Sequence, residues 1–549
     1  VNPSFKAVVE AWIAHDPDDR DRAELQELLL TDNEAELHRR FDHPLTFGTA
    51  GLRGQEMAGP AGMNRATVRR ATQGVVAWLH EKGLDVSRGV VVGRDARRGS
   101  EHFNDEVVAV LLGAGVDVYE MPGPLPTPWV SYCVNVLGAV AGIMITASHN
   151  PPQDNGYKLY ASDGAQIIPP DDESVERLAN AAGEAALADR TSPHHHVIPD
   201  AIFEEYRSHF VERFGVGHSA LRITYTPLHG VGGAVMTELL AAAGFSSVSL
   251  VAEQFTPDGT FPTLPFPNPE EPGALDLAIA TAQKNDAMLI LANDPDADRL
   301  GAAVRTPVGW HVLRGDEIGW LLAASLLDEI KEQQETVATS IVSSSMLSLM
   351  AADAGVHCVT TLTGFKWIAR AAGDGTLGFG YEEALGFAVD PSVRDKDGLS
   401  AGLALSALAH RLAERGQTLM EHIDELEERF GVHATSQLSL RFEGPQALDS
   451  IRASVAQLLS TPPTQLGGVG VTDVIDLNQG WQGLSPTDGV VLKLGEGGRV
   501  IVRPSGTEPK LKAYLEVTPS REGSLVEQRA RAQALISVLR EHLTSLLVP

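Results

Sequence analysis

The chain has 549 residues, too many for one hydrophobic core, so about three to five domains are expected. Apolar residues at 43% and charged residues at 21% exclude a disordered chain. With 43 Lys and Arg against 72 Asp and Glu, the formal charge of −29 disfavours nucleic acid or an anionic membrane as a partner and demands a locally basic pocket for any anionic substrate.

Residues 3 to 41 read as helical, with Val8, Val9, Trp12 and Ile13 on one stripe and Leu25, Leu28 and Leu29 on another. The segment Val1 to His15 is amphipathic and lacks the apolar run of a signal peptide, and no later run approaches the length that spans a bilayer. Cys133 and Cys358 are too few for a disulfide framework, so a reducing, cytoplasmic location is expected. From about residue 66 a helix to His80, a strand at Val90 to Val92, a helix from Phe103 to Leu112, a strand at Val116 to Tyr119, a helix after Pro128 and a strand at Val140 to Thr146 follow in βαβ order. That order implies a mostly parallel sheet covered by helices. After a polar stretch at 184 to 200, which holds His194, His195 and His196 and to which no function is assigned, the order repeats with strands at Ile223 to Thr226, Val248 to Val251 and Met288 to Ala292. It repeats again with strands near Val337 to Val342 and Cys358 to Thr361 and a helix from Leu399 to Glu414. Beyond about residue 433 the runs Gln437 to Arg441, Val490 to Leu494, Val500 to Val502 and Leu511 to Val517, then a helix from Leu525 to Leu547, predict a smaller α+β domain. The expected boundaries are 1–200, 201–318, 319–432 and 433–549.

In such sheets ligands bind beyond the carboxyl ends of strands, and three loops there carry chemistry. Thr146-Ala147-Ser148-His149-Asn150-Pro151 presents a serine at a strand end. Alone it could be a plain Asn-Pro turn. It lacks both a Gly-x-Ser-x-Gly elbow and an obvious base relay, so a phosphoryl carrier is an alternative to a hydrolase nucleophile. Asn293-Asp294-Pro295-Asp296-Ala297-Asp298-Arg299 sets three carboxylates at alternate positions, where they can converge on a hard cation such as Mg²⁺. A calcium hand counted from Asp294 fails, because its sixth and twelfth positions are Arg299 and Arg305 rather than Gly and Glu. Arg503-Pro504-Ser505-Gly506-Thr507-Glu508-Pro509-Lys510 offers a guanidinium, two hydroxyls, an approachable backbone and a lysine, the parts of an anion cradle. Weaker alone are Gly48 to Gly54 with Arg53, Gly364-Phe365-Lys366-Trp367, and Gly380-Tyr381-Glu382-Glu383-Ala384, whose carboxylates could read sugar hydroxyls or form an acidic turn.

Taken together and in this order, the loops resemble the α-D-phosphohexomutase superfamily, the phosphoglucomutases and phosphomannomutases, over about residues 45 to 515. The resemblance implies an α/β fold of four domains around a central cleft: three similar α/β/α domains with mixed sheets and a smaller C-terminal α+β domain. It makes Ser148 the phosphoserine and joins it to Asp294, Asp296 and Asp298 as Mg²⁺ ligands. Arg53, His149, Lys158 and Arg299 match basic residues around the transferring phosphoryl group, with Lys158 favoured as general acid or base. Lys366 matches a lysine that meets the substrate, Glu382 the glutamate that reads sugar hydroxyls with Glu383 beside it, and Arg503, Ser505, Gly506, Thr507 and Lys510 the cradle for the phosphate not in transfer. Ala384 stands where many members have serine, and Tyr-Glu-Glu-Ala looks more like the subgroup with the second type of phosphoglucomutase, phosphopentomutases and a glucose-bisphosphate synthase.

The implied activity is interconversion of a hexose 1-phosphate and 6-phosphate, glucose favoured and mannose open, through a sugar 1,6-bisphosphate that is intermediate and activator. Partners are then small sugar phosphates, without nucleic acid or membrane, and monomer and dimer both stay open. A phosphopentomutase or a sugar 1,6-bisphosphate synthase is the nearest alternative, and a non-catalytic sugar-phosphate-binding regulator the alternative of another class.

Overall fold

The alternating apolar runs become strands of four sheets in a computed structural model that describes residues 1–47, 51–442, 447–495, 497–505 and 510–547. Two units form: 1–312 with 385–410, and 313–384 with 411–549.

The first unit begins with three helices, Pro3–His15, Asp19–Leu30 and Glu34–Phe41. Each starts where a polar side chain takes up an orphan backbone N–H: Asn2 accepts from Ser4, Asp18 from Arg20 and Asn33 from Glu36. Their apolar faces close on Val9, Ile13, Leu25, Leu37 and Phe41.

The first sheet has the order Leu52–Gln55, Asp154–Ala161, Ala141–Ile145, Val90–Arg94, Val118–Pro124, His195–Val197. Ala141–Ile145 runs parallel to Val90–Arg94 and antiparallel to Asp154–Ala161. The central strands are buried on both faces, which is why they read as unbroken apolar runs. Helices Arg65–Glu81 and Ser100–Gly113 add Val68, Val75, Trp78, Val107 and Leu111 to the core. Three strands fall outside the sequence expectation, Leu52–Gln55 at one edge among them. Asp154–Ala161 carries buried Lys158 within it, which breaks the apolar run. His195–Val197 extends the sheet edge parallel to Val118–Pro124, where a polar connecting stretch was expected.

In the second sheet, Ile223–Thr226 lies parallel to Val248–Leu250 on one side and to Leu289–Asn293 on the other, and Leu300–Thr306 returns antiparallel. The stretch 385–410, read from sequence within the third α/β segment, groups with this unit. Gly398 is required there, because a Cβ would stand 2.1 Å from the carbonyl oxygen of Arg299.

In the second unit, Thr336–Ser340 pairs in parallel with His357–Thr361 and Leu377–Glu382. A second, wholly antiparallel sheet runs Ala434–Arg441, Lys510–Val517, Gly498–Pro504, Val490–Leu494, Val469–Asp476, Gln465–Leu466. Helices Ala447–Ser460 and Leu525–Leu547 cover it through Ile451, Val455, Ile536, Leu539 and Leu543. Three similar α/β segments and a distinct α+β C-terminal domain are therefore present, as the sequence indicated. Among the described residues no helix is long and apolar enough to cross a membrane.

Candidate active site

The buried strand Ala141–Ile145 ends in Thr146, whose hydroxyl donates to Asp95 Oδ2 at 2.7 Å and accepts from the Ser148 N–H at 2.8 Å. Ser148 sits at φ 51°, a left-handed conformation that costs an L-residue about 1–2 kcal/mol. Only 3% of Ser148 is exposed. Its Oγ donates to Asp294 Oδ2 at 2.8 Å and lies 3.1 Å from His149 Nδ1.

Asp294 follows the fully buried strand Leu289–Asn293. Ala297, also left-handed at φ 59°, bends the loop so that Asp294, Asp296 and Asp298 offer ligand atoms within 4.8 Å of one another. Lys158 Nζ donates to Asp296 Oδ2 and to Asp298 Oδ2, each at 2.7 Å, and Thr127 Oγ1 donates to Asp296 Oδ2 at 2.6 Å. Asp296 Oδ1 and Asp298 Oδ1 are buried without a hydrogen-bond partner among the described residues. Buried acceptors are expensive to leave unmatched. Convergent oxygens with two open lone-pair sets therefore fit a hard dication such as Mg²⁺, whose preferred ligands are few carboxylates plus phosphate oxygens.

Charge sorts these groups. Burial, reinforced by Asp296 and Asp298, raises Asp294 well above the usual carboxylate range. For Asp296 burial also pushes upward, but the Lys158 charge and its hydrogen bond, with that from Thr127, win and the net direction is down. Burial pulls Lys158 down while Asp296 and Asp298 pull harder upward, so it holds its proton and, of the two roles expected of it, stands as the acid. Burial, with the Arg299, Arg53, Lys158 and Arg97 charges, drives His149 well below its ordinary value, leaving a neutral imidazole beside the serine.

Arg53 donates to Asn150 Oδ1 at 3.1 Å, and its Nε is buried without a partner among the described residues. The Arg299 N–H donates to Asp294 Oδ1 at 3.0 Å, and its guanidinium reaches Glu270 Oε2 at 3.4 Å. The first unit thus gathers Ser148, His149, Arg53, Lys158, Arg299 and the three aspartates. Sequence reasoning missed Thr127 and Lys396. Lys396 Nζ lies 3.3 Å from Asp298 Oδ2 and 3.5 Å from Asp395 Oδ1, and Asp395 in turn accepts from Tyr160 and Gln166. In the sequence Lys396 shows only as the middle of a charged triplet, Asp395-Lys396-Asp397, and it is the fold that buries all three.

The second unit holds the rest. Lys366 is buried in the short helix Phe365–Ile368, its Nζ 5.9 Å from the centre of the Trp367 ring. Glu382, 8% exposed, ends the strand Leu377–Glu382. Glu383 Oε2 accepts from Ser343 Oγ at 3.0 Å and Ser340 Oγ at 3.2 Å. Burial, with Glu382 and Asp316 as neighbours, pushes Glu383 up to about 7. Arg503 lies in the strand Gly498–Pro504, and the Ser505 N–H donates to the Lys510 carbonyl at 2.8 Å. Gly506 and Thr507 lie outside the described residues.

The sequence matches the phosphoglucomutase/phosphomannomutase alpha/beta/alpha domains I, II and III at residues 44–186, 204–309 and 314–430, and the C-terminal domain at 439–533. It is 41% identical over 462 residues to the probable phosphomannomutase of Haemophilus influenzae, covering 83% of this chain and 93% of that one. It is 35% identical over 554 residues to the probable phosphoribomutase of Schizosaccharomyces pombe, with 94% of each covered. The crystal structure of the phosphoglucomutase parafusin from Paramecium, in its open form, shares the fold with a TM-score of 0.70 at 18% identity, over 91% of this chain and 95% of that one. The class is therefore that of the mutases, enzymes that are at once phosphotransferases and isomerases. Within it, the chain belongs to the phosphoglucomutase/phosphomannomutase family.

Proposed function

We propose that this enzyme interconverts hexose 1-phosphate and hexose 6-phosphate through a phosphate carried on Ser148. The observation that carries the reading is the 2.8 Å contact of Ser148 Oγ with Asp294, at the head of a three-aspartate cluster that retains unmatched oxygens. The O6 hydroxyl of a sugar 1-phosphate attacks the phosphorus on Ser148; the P–O6 bond forms as the P–Oγ and O6–H bonds break, the O6 proton passing to the neutral imidazole of His149, 3.1 Å from Oγ, while Oγ takes a proton from Lys158. The bound 1,6-bisphosphate then turns over. Its O1 phosphate returns to Oγ and the 6-phosphate leaves.

Phosphoryl transfer runs through a loose transition state, so the protein's part is to position groups and stabilise spread charge. Asp294, Asp296 and Asp298 would hold Mg²⁺, which when bound supplies electrostatic stabilisation of the phosphoryl oxygens. Arg53 and Arg299 stabilise the equatorial oxygens with fixed guanidinium donors. Lys158, protonated as found, donates to the oxygen that departs, and loses its hold on the proton as its carboxylates are engaged elsewhere. Glu382 reads sugar hydroxyls, Lys366 meets the substrate, and Arg503, Ser505 and Lys510 take the phosphate not in transfer. Ser148→Ala should leave a folded protein without mutase turnover; normal turnover in that variant would reject the assignment.

A pentose phosphate is the second reading. It is favoured by Ala384, which removes a hydroxyl from the sugar-reading loop, and by the relative named as a phosphoribomutase. Rates with glucose, mannose and ribose 1-phosphates separate the two.

A further inference from the structure

Arg97 has been given no role so far, yet it is 3% exposed and places its guanidinium under the loop that carries Ser148. One terminal nitrogen, Nη2, donates to the carbonyl oxygens of Ser148 at 2.6 Å and Asn150 at 2.7 Å. The other, Nη1, donates to those of Pro151 at 2.8 Å and Asp154 at 2.9 Å. Asp95 stands behind the guanidinium as an ion pair, Oδ2 3.2 Å from Nε without a hydrogen bond between them, and the Phe261 ring centre lies 5.0 Å from the guanidinium carbon. Asp95 also receives the Thr146 and Ser100 hydroxyls and the Arg97 N–H, so the carboxylate and the guanidinium form one rigid bracket.

We propose that Arg97 is a positioning residue that locks Ser148 in its left-handed conformation, so that Oγ keeps its aim at the carboxylate cluster while bearing a phosphate. The inference rests on Ser148 being the phosphorylated residue. Its physical ground is a count of donors. The loop turns four carbonyls of residues 148 to 154 inward, where water does not reach Arg97, and a planar guanidinium is the side chain that can serve them from two nitrogens. A lysine in its place offers one nitrogen and cannot span them. A phosphoryl group on Oγ adds bulk and charge beside the carboxylate cluster, and that load falls on the φ 51° backbone that the bracket restrains. Arg97 acts through the loop, not on the phosphoryl group, so its loss is felt in the chemical step rather than in ground-state affinity.

The test uses the full-length protein with Mg²⁺, phosphorylated by glucose 1,6-bisphosphate, comparing wild type with Arg97→Lys by steady-state kinetics and by ³¹P NMR of the phosphoserine. Expected is a cooperatively melting variant with KM for glucose 1-phosphate within about twofold of wild type, kcat lower by about 100-fold, and a displaced or broadened phosphoserine resonance. A kcat within about threefold and an unmoved resonance overturn the proposal, as does a loss carried by KM alone. If Arg97→Lys does not fold, Asp95→Asn, which keeps one accepting oxygen, must show the same split in weaker form, about tenfold in kcat; unchanged kcat overturns the proposal there too. A wild type that carries no phosphoserine signal and no turnover overturns the functional reading itself, whereas a normal wild type with indifferent variants overturns this inference alone.

Discussion

Replacing Lys158 with methionine keeps most of the buried aliphatic volume but removes the ammonium that donates to both Asp296 and Asp298. The side chains of the three are 3%, 0% and 1% exposed, so water does not screen the charges left behind. Removing one partner of a buried ion pair costs about 3–5 kcal/mol, and that is the destabilisation expected for metal-free Lys158→Met. A dication at one hundred times its dissociation constant stabilises by about 2.7 kcal/mol, and more in the variant, where no ammonium shares the two carboxylates with it. The deficit should therefore shrink when Mg²⁺ is added, Mg²⁺ should bind the variant more tightly than wild type, and turnover should still fall by about 100-fold or more. Urea melts with and without MgCl₂, titration calorimetry and a coupled mutase assay read the three quantities. An equal loss of stability with and without Mg²⁺, or weaker Mg²⁺ binding in the variant, would refute the reasoning.

Two further outcomes follow from single contacts. Thr127→Val removes a 2.6 Å hydrogen bond to an ionised, fully buried carboxylate at nearly constant volume and should cost about 1.5–3 kcal/mol in a metal-free urea melt; a variant as stable as wild type would show that the bond contributes nothing. Glu383, raised by burial and by Glu382 and Asp316, holds its proton in the folded state up to about pH 7 but ionises near 4.5 when unfolded. Its contribution is full below pH 4.5 and is lost as pH rises through about 7, a change of up to about 3 kcal/mol. Glu383→Gln should flatten that part of the stability profile, and superimposable profiles for the two proteins would count against the raised carboxyl.

Much of the layout is legible because parallel strands buried on both faces leave apolar runs that periodicity detects. Ile223–Thr226 and Val490–Leu494 fall where their sequences place them. The loops at strand ends are equally visible, since Asn-Pro after Ser148 and alternate aspartates after Asn293 are local patterns. What is not local stays hidden. The strand Asp154–Ala161 is masked by the charge it carries, and that charge is sensible only beside aspartates contributed by another sheet. Lys396 and Thr127 escape for the same reason: each reads as an ordinary helix-flanking residue until the tertiary fold supplies its carboxylate. Arg97, in the short sequence Arg94-Asp95-Ala96-Arg97, reveals itself only through the backbone oxygens it collects, and backbone oxygens have no sequence signature.

Lys158 and Asp296 are 138 residues apart, and Ser148 and Asp294 are 146 apart, so serine and lysine arrive with one sheet and every carboxylate with the next. A ribosome that has delivered only the first 200 residues has made the strand that carries the lysine and none of the carboxylates that receive its protons in the finished enzyme. Fragments ending before Asp294 keep the lysine without either carboxylate and the serine hydroxyl without its acceptor. The contacts of Ser148 and Lys158 with the carboxylate cluster therefore appear together, when the second sheet docks.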